Sequence, residues 1–114
     1  MKREIVDYIQ DIITAMDKGL NFIKGMKCDD FIHDDKTIYA VIRTIEIIGE
    51  AVKNIPEDVK KEYPLIPWRN IAGMRDKLIH GYFGVNIERV WKTVKEEIPP
   101  LKPLFEEMRR NLKK

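Results

Sequence analysis

The sequence predicts an all-α protein, an antiparallel four-helix bundle with an additional C-terminal helix. Three observations predict it. Apolar residues recur at three- and four-residue spacing over long stretches, no segment alternates with the period of a strand, and the connectors between periodic stretches are short and carry proline, glycine or capping residues.

In the first stretch Ile5, Tyr8, Ile9, Ile12, Ile13, Met16, Leu20 and Ile23 give a long helix one apolar face, and Gly25 supplies its stop. The acidic segment from Cys28 to Asp35 reads as a solvated connector. Asp34 or Asp35 caps the second helix by accepting from its free N–H groups. The stripe of that helix is Ile38, Val41, Ile42, Ile45, Ile48 and Val52, and it ends before Pro56, because a residue preceding proline is pushed out of the α region. Residues Glu57 to Tyr63 add a short helical turn, and Pro64 and Pro67 bracket a connector.

A third helix opens at Pro67 or Trp68, runs through Ile71, Ala72, Leu78 and Ile79, and ends near Gly81. Asn86 caps a fourth, with Ile87, Val90, Trp91, Val94 and Ile98 inward. Pro99 and Pro100 break or kink it. A last helix starting at Pro100 carries Leu101, Leu104, Phe105, Met108 and Leu112, and the basic tail is expected to fray.

The 114 residues fit one domain, and 44% hydrophobic with 35% charged residues is the mixture of a globular chain rather than a disordered one. A formal charge of +2 gives no argument for nucleic-acid binding, so any basic footprint must be local. The lone cysteine, Cys28, has no partner for an internal disulfide and fits a reducing compartment. No apolar run reaches membrane-spanning length, and the charged start is not followed by a secretory core. A soluble, cytoplasmic protein with no membrane partner is expected.

With two histidines and one cysteine, no spacing resembles a zinc site, and neither a phosphate-binding Gly-rich loop nor a nucleophile elbow occurs. No metal or cofactor is expected. The segment that departs from ordinary helix filler is Arg75-Asp76-Lys77-Leu78-Ile79-His80-Gly81-Tyr82. Arg75 carries a permanent planar charge suited to phosphate, and His80 exchanges a proton near neutral pH. Asp76 can orient either one, and Tyr82 offers a phenolic hydroxyl. Arg75 and Tyr82, seven apart, share a helix face, whereas Arg75 and His80, five apart, differ by about 140° around an ideal axis. One rigid helix does not aim both at a point. A helix ending near Gly81, or symmetric pairing of two chains, would. On residue chemistry alone the structural alternative has the better claim: Arg75 in an ion pair, His80 at a helix C-terminus, Tyr82 packed.

The sequence resembles the HepT-like proteins of the HEPN superfamily. Arg75 to Tyr82 matches their Arg-x4-His-x-Tyr signature, with Asp76 where the superfamily favours a polar residue. Ile45-Glu46-Ile47-Ile48-Gly49-Glu50-Ala51, Phe31-Ile32-His33-Asp34-Asp35-Lys36-Thr37 and Trp68-Arg69-Asn70-Ile71-Ala72-Gly73-Met74 are similar to the family pattern too, so the likeness runs from Phe31 to about Trp91. The resemblance implies a single HEPN-like helical domain over 1–114. It implies a metal-independent RNA endonuclease, the toxin of a two-gene toxin–antitoxin module, working as a homodimer. Arg75, His80 and Asp76 would be its catalytic residues. An MntA-like nucleotidyltransferase would silence it by transferring AMP to Tyr82. The alternative is a non-catalytic HEPN module that binds substrate or nucleotide for such a partner.

Glu46 and Glu50 are four apart on the second helix. They stand either as support for Arg75 or as solvated charges pairing with Arg43 or Lys53. Trp68 and Trp91 could stack RNA bases, but their helical positions favour core or dimer packing.

Overall fold

The computed structural model describes residues 3–78 and 84–113. Within these the regular elements are helical, apart from an isolated bridge at Val85. Helix α1 (Ile5–Phe22) buries Ile9, Ile12, Ile13, Ala15 and Met16, the stripe its spacing predicts. Gly25 follows at φ +80°, where a side chain would be strained.

The acidic connector is more ordered than its composition suggests. Cys28–Ile32 forms a short helix, α2, because the Asp30 carboxylate accepts the Lys27 amide at 2.8 Å and Phe31 is wholly buried. The Phe31 ring lies 5.3 Å from that of Trp91, which pins α2 to the later part of the chain. Helix α3 (Asp35–Lys53) is capped by Asp34, whose side chain accepts the Thr37 amide at 3.0 Å. Of the two aspartates the sequence offered, Asp35 is already inside the first turn.

Helix α3 is the central packing surface, with α1, α5 and α6 against it. Glycines lie at two of these contacts. Gly19 of α1 is buried, and a Cβ there would come within 3.0 Å of the Thr44 methyl on α3. Gly49 of α3 faces the carbonyls of Ile71 and Ala72, 3.6 Å from where its Cβ would be.

After the one-turn helix α4 (Glu57–Lys60), the expected third helix is divided. It forms α5 (Trp68–Ala72) and α6 (Met74–Leu78), separated at Gly73. Gly73 ends α5 at φ −89°, ψ 0°, and its own carbonyl accepts the Lys77 amide of the next turn. Trp68 is a packing residue. Its indole N–H donates to the carbonyls of Lys60 and Tyr63, both at 3.1 Å, and its ring meets Phe105 edge-on.

Helix α7 (Ile87–Lys92) is capped by Asn86, which accepts the Arg89 amide at 3.0 Å, and continues into a π-helical turn over Thr93–Glu97. Helix α8 (Lys102–Leu112) carries Pro103 in its first turn, so the last helix begins slightly later than expected and remains helical through most of the basic tail. It lies along α1, with Phe105 and Met108 fully buried.

Candidate functional site

Arg75 projects from α6 towards α3. Its Nε donates to Oε2 of Glu46 at 3.0 Å, and Nη1 lies 3.5 Å from Oδ1 of Asp76. The two carboxylates differ in setting: the Glu46 side chain is 25% exposed and that of Asp76 is 73% exposed. Glu46 is therefore the ordered partner. Its hydrogen bond is the main cause that pushes the guanidinium pKa still higher, with the charges of Glu46 and Asp76 adding to it. Arg75 stays charged at any working pH. With Nε committed to Glu46, its terminal N–H groups remain partly open to solvent, since half the side chain is exposed.

α5 packs on α3 at Gly49, and α6, which follows directly, comes within side-chain reach of Glu46 one turn earlier on α3. Glu50 does not join the pair. It is exposed, accepts the Asn54 side chain through its backbone carbonyl, and borders a shallow cleft with Arg3, Tyr8 and Arg43. His80 and Tyr82 lie outside the described residues. The described ends of their segment are tied together, since the Asn86 amide donates to the Leu78 carbonyl at 3.0 Å.

One cluster beside α6 escaped the sequence reading. Arg89, Thr93 and Glu97 lie four apart along α7 and the π-turn, and they border a cleft shared with α5 and α6. Their i, i+4 spacing was the available signal. Among the described residues no group of three or more His, Cys, Asp or Glu side chains could hold a metal ion, and no helix is long and apolar enough to cross a membrane.

Comparison with known proteins adds what the geometry alone leaves open. Residues 7–108 match the family model of HepT-like ribonucleases (Ribonuclease HepT-like). The chain belongs to the HepT-like ribonuclease family, in the HEPN superfamily.

Several of its relatives match over nearly their whole length. A protein of Thermococcus cleftensis named as a probable ribonuclease HepT is 54% identical over 110 residues, covering 96% of this chain and all of its own. A candidate RNase of Methanocaldococcus jannaschii is 50% identical over 111 residues, covering 97% of this chain and 96% of its own. In another M. jannaschii protein, named as a gamma-glutamylcyclotransferase and candidate RNase, the matching region is 52% of the length, at 39% identity. No solved structure matches the chain.

Proposed function

We infer that this HepT-like ribonuclease cleaves RNA without a metal ion, with Arg75 and His80 as the reacting pair and Asp76 assisting their placement. The observation that carries the reading is the Arg75 guanidinium. It is fixed through Nε by Glu46, half exposed, and located on the segment that matches the HepT-like signature. RNA carries its own nucleophile. His80 removes the 2′-hydroxyl proton, or protonates the leaving 5′-oxygen, as the 2′-oxygen bonds to phosphorus and the P–O5′ bond breaks. Arg75 stabilises the extra negative charge on the pentacoordinate phosphorus. Glu46 is a positioning residue in this scheme, holding the guanidinium in one orientation before RNA arrives.

The same reading takes residues 1–114 as one HEPN-like domain, an antiparallel bundle acting in the cytoplasm as a homodimer. Pairing two chains brings two Arg75–His80 sets to one cleft, so acid and base can come from different protomers. Light scattering at micromolar concentration tests this, and a monomer that does not self-associate contradicts it. In the cell the protein is the toxin of a two-gene module, silenced by an MntA-like nucleotidyltransferase that transfers AMP to Tyr82. A phosphate attached there competes with RNA for the Arg75 guanidinium.

Mass spectrometry after incubation with ATP, magnesium and the cognate nucleotidyltransferase tests that last step. Wild type gains one or more AMP groups, and Tyr82→Phe, which keeps the ring and loses the acceptor oxygen, gains none. Equal labelling of both proteins, or of neither, removes the assignment while leaving the nuclease reading standing.

A further inference from the structure

A cleft bordered by α5, α6, α7 and the π-turn has about 200 Å³ of space and a lining that mixes apolar walls with a fixed carboxylate. Half-buried Met74 and Leu101 supply apolar surface, with Ile71 and Leu78 buried beneath it. The carboxylate is that of Glu97. Its Oε1 accepts the Thr93 hydroxyl at 3.0 Å, and its Oε2 accepts Nη2 of Arg89 at 3.1 Å. The π-turn makes this arrangement possible. In a continuous α-helix each four-residue step drifts by about 40° around the axis, so Glu97 would move progressively away from Arg89. The wider turn over Thr93–Glu97 takes back part of that rotation and leaves the three side chains in one column.

A carboxylate held at both oxygens is pre-oriented but not saturated. It has roughly four acceptor positions, of which Thr93 and Arg89 use two. The Glu97 side chain is 39% exposed and lines the cleft, so its carboxylate is within reach of a ligand there. The remaining positions suit a planar group that offers two neighbouring N–H donors. Among RNA bases only guanine does so on its Watson–Crick edge, through N1–H and the 2-amino group. Adenine and cytosine present one amino donor beside an acceptor, and uracil presents one N–H between two acceptors. Unpaired bases are read by such edge contacts while their faces rest on apolar or aromatic side chains.

We propose that this cleft binds a guanine base of the substrate RNA, with Glu97 reading its Watson–Crick edge. The proposal rests on the ribonuclease reading of the chain. Lys77, at the rim, faces the phosphate that accompanies the base. Arg75 is on the same helix, α6, as Met74, Lys77 and Leu78 of the cleft, and one helix with its side chains is about 10 Å wide, a span that a nucleotide and its neighbouring phosphate bridge. Occupation of the cleft therefore sets which phosphodiester is presented at Arg75.

The test uses the full chain and single-stranded RNAs that differ only at one position, carrying guanosine, inosine or adenosine. A bidentate base contact discriminates by about 1–3 kcal/mol, or roughly 5- to 150-fold. Wild type should cleave the guanosine RNA at least fivefold faster than the adenosine RNA. Inosine, which lacks the 2-amino group, should fall between them. In Glu97→Gln, which keeps size and the Thr93 contact, the guanosine-to-adenosine ratio should fall to about one. Equal cleavage of all three RNAs by wild type overturns the proposal, as does an unchanged ratio in Glu97→Gln. The inosine comparison needs no mutation, so it stands even if the variant fails to fold. If wild type cleaves none of the RNAs, the ribonuclease reading fails instead. The cleft is then tested by calorimetric binding of guanosine- and adenosine-containing dinucleotides, where equal affinity overturns it and a guanosine preference of fivefold or more upholds it.

Discussion

Asp34 shows how one side chain fixes the start of α3, the helix that carries Glu46. Its carboxylate accepts the Thr37 amide, and the hydrogen bonds from Thr37 hold its pKa below the usual carboxylate value. A depressed carboxyl pKa stabilises the folded state above the unfolded pKa of about 3.9, and that contribution is lost as pH falls through the lower folded value. Asp34→Ala should therefore lower the melting temperature at pH 7, and the gap between variant and wild type should close as pH is taken below about 4. Melting curves across that range check it, and a gap that persists undiminished in acid would contradict the capping account. The other residue-scale determinant is Glu46. The sequence left it between a role beside Arg75 and a pairing with Arg43 or Lys53, because a helical wheel gives its direction but not which neighbour arrives there. The structure puts Arg75 at 3.0 Å.

At the scale of elements, α1 and α3 meet at Gly19 and Thr44. The Thr44 hydroxyl donates to the Ala40 carbonyl at 3.0 Å, which locks the rotamer whose methyl faces Gly19. Gly19→Val should destabilise the protein by roughly 1–3 kcal/mol, since its branched side chain must displace a methyl that cannot rotate away. Denaturant titration reads this, and an unchanged midpoint would mean that the two helices separate freely.

The long helices were legible because their stripes repeat over four or five turns, and the caps at Asp34 and Asn86 because a short polar acceptor preceded each stripe. Helix α2 was not legible, since its stabilising contact, Phe31 against Trp91, joins segments sixty residues apart. Nor was the division at Gly73. The apolar spacing of Ile71, Ala72 and Leu78 continues across it, and only the backbone turns. The π-turn was hidden for the same reason. Arg89, Thr93 and Glu97 have helical spacing whether the turn is α or π, so the carboxylate they fix was overlooked while the Arg-x4-His-x-Tyr motif was recognised at once.

For the whole molecule, the buried residues form one continuous core from Ile9 on α1 to Met108 on α8, and Arg75 is exposed next to Met74, which packs against that core. The described polar groups of the candidate site, Arg75, Asp76 and Glu46, are all at least partly exposed, so removing them need not open a cavity. That separation of stability from chemistry makes a decisive experiment possible. Purified wild type, Arg75→Ala and His80→Ala are assayed on single-stranded RNA in excess chelator, with helical circular dichroism recorded for each. Wild type should cleave, and both variants should keep their helical signal while losing at least about a hundredfold in rate, the lower end of what a positioned acid–base group contributes. Cleavage by His80→Ala at the wild-type rate, or wild-type activity that disappears in chelator and returns with a divalent metal, would contradict the account.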